Sequence, residues 1–129
     1  MNNSKVHIIS NKGTYNYGTD VGFKTNYITN SDSSMVFERR GDNVTCTFHL
    51  TGEGGAFQEQ TFVTIGNSNL PAEYTPSQEH MYFVTTSTKN IATSTCLGVL
   101  YITSDGEIKL ELLNKKAFNL YGVFTYAVK

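Results

Sequence analysis

Between Asn43 and Thr51 the chain alternates without a break: Val44, Cys46, Phe48 and Leu50 are apolar, while Thr45, Thr47 and His49 between them are polar. A period of two places one set on each face of an extended strand, whereas a helix would scatter the same residues around its whole circumference. Gly41-Asp42 precedes this run, and Met35 to Arg40 is a second strand-like run before the turn, so the pair reads as a β-hairpin. The pattern recurs near the C-terminus. Ile108, Leu110 and Leu112 alternate with Lys109 and Glu111, and Ser104-Asp105-Gly106 joins Glu107 to Leu113 to an apolar run from Thr95 to Thr103.

Further strands are expected over Phe57 to Ile65, His80 to Thr86 and Leu120 to Val128, with shorter candidates at Val6 to Ser10 and Gly22 to Asn30. Gly66 to Gln78, which holds both Pro71 and Pro76, reads as a long loop, and Asn30 to Ser34 as a turn. No segment reads as a convincing helix. Seventeen Thr, nine Val, eight Tyr and eight Phe against five Ala suit half-buried pleated surfaces better than helices. The expected fold is all-β, an antiparallel sandwich or jelly-roll-like barrel of about seven or eight short strands. Residues 1–33 read as an N-terminal arm or as the first strands of the same domain, and 34–129 as the β-sandwich head. The last strand is apolar on both faces, with Tyr121, Val123 and Ala127 on one side and Leu120, Phe124, Tyr126 and Val128 on the other. Such a strand is expected to lie centrally in its sheet or under another subunit.

Charge and composition narrow the function classes. The net charge is -1 and like charges run no further than the pairs Arg39-Arg40 and Lys115-Lys116, so no basic stripe serves nucleic acid. No apolar run approaches a membrane span, and Met1 to Lys5 lacks the apolar stretch of an export signal; the expectation is a chain kept inside the cell or cut from something longer. Cys46 and Cys96 show no Cys-x-x-Cys spacing and are expected as buried free thiols. His7, His49 and His80 have no metal-ligand spacing, and His49 falls on the polar side of its strand. The eleven carboxylates are scattered, and neither a Gly-x-Ser-x-Gly elbow nor a phosphate-cradling loop is present. The expectation is binding, without enzymatic chemistry and without a cofactor or metal.

Consecutive antiparallel strands sort their connections onto two ends. The bend at 52–56 and the loops at 87–94 and 114–119 are expected to share one end. The Gly41-Asp42 turn, the Gly66–Gln78 loop and the Asp105-Gly106 turn are expected to share the other. Tyr15, Tyr17, Phe57, Tyr74 and Phe118 fall in or beside loops, where aromatic faces serve either saccharides or the closure of a barrel end. The first end gathers the candidate saccharide-binding residues: Glu53, Lys89, Asn90 and Lys115 for hydrogen bonding, with Phe57 and Phe118 as apolar platforms. Tyr74, at the other end, reads as a structural plug.

One ordered set of segments carries a family likeness. Glu38 to Phe48 forms a charged hairpin, Leu70-Pro71-Ala72-Glu73-Tyr74-Thr75-Pro76 a proline-braced loop, and His80 to Val84 an aromatic strand. With the Val99 to Leu110 hairpin, they resemble the C-terminal or head domains of siphophage baseplate and tail-tip proteins, including receptor-binding and accessory baseplate proteins of phages that infect Gram-positive bacteria. The likeness covers Met35 to Lys129. It implies a β-sandwich head, usually a homotrimer, carried on the virion tail or baseplate and assembled in the host cytoplasm. The implied partners are host cell-surface polysaccharide and other phage subunits. A structural domain that docks those subunits without touching the host is the alternative it allows. The matching motifs shape turns and loops, and none transfers a ligand contact.

Overall fold

The computed structural model describes residues 13–57, 62–84, 98–113 and 117–128. Eight strands form two four-stranded sheets. The first sheet has the order β1-β2-β3-β8, from β1 (Gly13–Asn16), β2 (Ser34–Arg40), β3 (Asn43–Gly52) and β8 (Phe118–Ala127). The second has the order β4-β7-β6-β5, from β4 (Val63–Thr64), β5 (His80–Val84), β6 (Gly98–Ile102) and β7 (Ile108–Leu112). Every named pairing is antiparallel. The protein is an all-β sandwich.

Alternation decides what lies between the sheets. Val44, Cys46, Phe48 and Leu50 of β3 are buried, as are Leu120, Phe124 and Tyr126 of β8. They meet Leu100 and Ile102 of β6 and Ile108, Leu110 and Leu112 of β7 in one core cluster. Both hairpin turns form where the pattern places them. Gly106 adopts φ 91°, and a Cβ there would lie 3.0 Å from the backbone of Leu70. The position accepts glycine for its conformation and for this close approach.

In the first third the local elements differ from the sequence reading. β1 pairs with β2, and Tyr17, Phe23 and Ile28 belong to the same core as the sheets, so residues 13–33 pack within this fold. A single helical turn, α1 (Tyr17–Asp20), follows β1, where no helix is expected. The expected strand over Gly22 to Asn30 does not form; only Phe23 bridges, to Gly66. Phe23 and Ile28 are five residues apart and both buried, whereas a strand would point them to opposite faces. A turn turns both inward. The Asn30 side chain closes it, accepting from Phe23 N–H at 2.8 Å and donating to Phe23 C=O at 2.9 Å. The Val6 to Ser10 candidate lies outside the described residues.

Two further expectations need correction. Of Phe57 to Ile65, only Val63–Thr64 is a strand, and Phe57 ends a 3-10 turn (Gly55–Phe57) that carries its ring into the core; residues 58–61 lie outside the described part. Of the two places expected for the last strand, the central one is excluded: among the described residues β8 ends its sheet, laddered to β3 and met on its other edge only by the proline loop at Ala127. Its inward face is buried, while Tyr121 and Val123 on the other face are exposed.

Candidate functional site

The two ends of the sandwich come first, because the sequence places its candidates there. At one end Val128 N–H donates to Asp42 C=O at 2.8 Å, Pro76 bridges Val128, and Leu70 N–H donates to Gly106 C=O at 2.9 Å. The Gly41-Asp42 turn, the proline loop and the Asp105-Gly106 turn therefore meet as expected. Arg39 ties them together, donating to Gly41 C=O and to Glu73 C=O at 2.8 Å each. Tyr74 is a plug. Its buried ring stacks on Tyr15 at 5.4 Å, and its carbonyl accepts from the Tyr126 hydroxyl at 2.6 Å. Burial pushes the Tyr126 phenol far above its ordinary range, so it stays a donor.

At the opposite end the register Gly52↔Phe118 brings the 52–57 bend beside the start of β8, and Val84↔Gly98↔Leu112 ends the second sheet. Glu53 is exposed there. Lys89, Asn90 and Lys115 lie outside the described residues. Phe57 and Phe118 do not serve as platforms: both are buried, edge-to-face at 5.9 Å, with Phe57 also against Tyr27 at 5.1 Å. No sugar can stack on a ring whose faces are already covered. Tyr17 is likewise buried, its hydroxyl donating to Ser68 C=O. These loop aromatics close the sandwich.

One available aromatic surface lies on the outward face of the first sheet. Odd-numbered residues of β3 and β8 point away from the core, and the ladder sets them in rows: Ser34–His49–Tyr121, then Val36–Thr47–Val123, then Glu38–Thr45–Thr125. β1 extends two rows with Asn16 and Thr14. The Tyr121 ring lies on the His49 imidazole, centroids 4.2 Å apart and planes within 7°, yet Tyr121 remains 46% exposed. His49 Nε2 is 3.1 Å from Asn119 Oδ1, which accepts from the Nε2–H tautomer and holds the ring in place. The Thr45 and Thr125 hydroxyls share a hydrogen bond of 3.0 Å two rows further. Beyond them, two open depressions of about 470 and 360 Å³ flank Glu38 and Arg40, whose side chains pair at 3.8 Å. Glu53 lies just past the row where Thr51 meets Asn119.

This face combines an aromatic pair with hydroxyls, an amide and an ion pair, all open to solvent. It lacks the enclosure that desolvated chemistry uses. Among the described residues no group of three His, Cys, Asp or Glu side chains is placed to hold a metal, and no helix is long and apolar enough to cross a membrane. Cys46 is a buried free thiol, pushed well above its ordinary pKa by burial and thus unreactive; Cys96 lies outside the described residues. His49 and Tyr121 escape sequence reasoning as a pair because each reads only as an outward position of its own strand. They become a pair only when β8 lies against β3 in this register. The signal available was phase alone, an outward aromatic on each of two strands.

Compared with known proteins, the chain matches no family model and no curated protein sequence.

Proposed function

We propose that the chain is a non-catalytic adhesion domain of a phage tail or baseplate that binds host cell-wall saccharide on the outward face of its first sheet. One observation carries the reading: the exposed His49–Tyr121 stack, braced by Asn119, on a face that also carries threonine hydroxyls and the Glu38–Arg40 ion pair. Sugar rings present apolar C–H surface together with many hydroxyls, and such a face answers both. An open sheet face suits a polymer lying across the strands better than a small molecule needing burial. The phage setting rests on the ordered motifs of residues 35–129, and many copies on one virion would raise the avidity of a shallow site.

The test is binding of the full chain to a glycan array and to labelled Gram-positive cell walls. His49→Ala and Tyr121→Ala, each with unchanged circular dichroism and unfolding midpoint, are expected to lose binding. Wild-type silence on walls and glycans removes the adhesion reading, and retained binding by both variants moves the site off this face. A second reading, assembly by docking other phage subunits, is favoured by apolar exposure on β5, where Met81 is 50% and Phe83 66% exposed. It predicts a defined complex with another baseplate subunit and no wall binding. Turnover of the polysaccharide in the same assay would contradict both readings.

A further inference from the structure

Five large apolar side chains are exposed among the described residues, and four of them lie on two strands: Met81 and Phe83 on β5, and Tyr121 and Val123 on β8. These strands end their respective sheets and run along the same side of the sandwich. Tyr82 stacks on Phe124 at 5.3 Å and His80 on Phe124 at 5.0 Å, so side chains, without a hydrogen-bonded ladder, fill the space between the two edges. Edge strands are normally protected by charge, proline or brevity. β8 runs for ten residues without Asp, Glu, Lys, Arg or Pro, and β5 also has none.

The hydrogen-bonding phase of the β8 edge can be read directly. Ser77 N–H donates to Ala127 C=O at 2.9 Å while Pro76 bridges Val128, so the proline loop occupies that edge at its C-terminal end. The N–H and C=O groups of one residue in an antiparallel ladder point to the same side, and the side repeats every second residue. Asn119, Tyr121, Val123 and Thr125 therefore aim their backbone groups off the free edge, as Ala127 does. The edge left open among the described residues is Phe118 to Tyr126, and its centre is Gly122.

We infer that the free edge of β8 pairs with the same edge of a second copy, antiparallel, about a two-fold axis at Gly122. This register sets Tyr121 opposite Val123 of the other copy and Asn119 opposite its Thr125, each exchanging backbone hydrogen bonds. It places an aromatic against a β-branched residue, a favourable cross-strand pair, and leaves Ala127 to Ser77. An uncharged strand meets itself without like-charge repulsion, and it carries no charge by which a different partner would be chosen. Antiparallel pairing consumes the edge, so the assembly closes at two chains. The inference stands apart from the saccharide reading. Where both hold, the first sheets join into one eight-stranded face carrying two His49–Tyr121 stacks.

The experiment is mass measurement of the full chain by sedimentation and light scattering over a wide concentration range, with charge substitutions at the exposed position beside the axis. Wild type is expected at the mass of two chains. Val123→Lys and Val123→Glu, both folded by circular dichroism, are each expected at one. Mixed in equal amounts, they are expected to return to two, because the opposed charges flank the axis. A wild type that stays single or assembles as three chains overturns the inference. So do variants that remain paired, and a mixture that stays single. A wild-type pair that binds no glycan sinks only the saccharide reading, whereas a single-chain protein that binds through His49 sinks only the pairing.

Discussion

Phe48 and Thr47 are neighbours in the central part of β3, and replacing each by alanine tests the layering of the whole sandwich. Phe48 is buried, edge-to-face with Tyr82 at 5.9 Å and tilted against Phe124 at 6.0 Å, while Thr47 is exposed on the outward face. Removing a buried phenyl ring costs its transfer free energy plus the cavity it leaves, about 4 kcal/mol. That is a large part of the roughly 5–15 kcal/mol that holds such a domain together. With a urea slope near 2 kcal/mol per molar, the unfolding midpoint is expected to fall by about 2 M for Phe48→Ala. For Thr47→Ala the change should stay within about 0.5 kcal/mol, a few tenths of a molar. The local packing adds a sharper test. A Cβ built at Gly122 would lie 2.8 Å from the Phe48 ring and 2.7 Å from Tyr82. Gly122→Ala should therefore cost about 1–3 kcal/mol by overpacking in the native background. Much of that cost should vanish beside Phe48→Ala, because one of the two rings is gone and Tyr82, only half-buried, can yield. Equilibrium unfolding of the four proteins, dilute enough that self-association adds nothing, gives the coupling directly. Additivity within about 0.5 kcal/mol would refute the claimed contact between β3 and β8. Equal costs at Phe48 and Thr47 would refute the assignment of faces.

Three further outcomes follow from the same geometry. Tyr126→Phe leaves the buried Tyr74 carbonyl without its donor and is expected to cost about 1–2 kcal/mol by chemical denaturation. Burial against Phe124 and Tyr126 lowers the pKa of His80 from its ordinary 6.5, and its Nε2 has no hydrogen-bond partner among the described residues. The unfolded chain then takes up this proton first, so the stability involved is complete above pH 6.5 and drains away as pH falls towards the lowered folded value. Comparing unfolding free energy against pH for wild type and His80→Phe should show that step flattened in the variant. Gly106→Ala combines a φ of 91° with a Cβ 3.0 Å from Leu70 backbone, and a clear drop in thermal midpoint is expected where an ordinary turn substitution would leave it unchanged.

What the sequence determines here is set by local periodicity and turn chemistry. The alternation at 44–50 and 108–112, with Gly41-Asp42 and Asp105-Gly106, specifies two hairpins, their buried faces and thus the all-β class. Each of these features involves residues a few positions apart, so no distant partner is needed to read it. The same logic places the proline loop and both turns at one end. It fails where a residue's role depends on what arrives from far along the chain. Phe23 and Ile28 turn inward because the core needs both, not because any strand carries them. Phe57 and Phe118, 61 positions apart in sequence, look like open loop aromatics until the register Gly52↔Phe118 folds them against each other. His49 and Tyr121 are an ordinary polar-face histidine and one tyrosine of an apolar strand until β8 pairs with β3 and stacks their rings 4.2 Å apart. The final strand shows the division most clearly. Its two apolar faces are written in the sequence, but only strand order reveals that β8 ends its sheet, with one face in the core and the other in solvent. Pairing across a sheet is set by summed burial over the whole molecule, and no local pattern contains that sum.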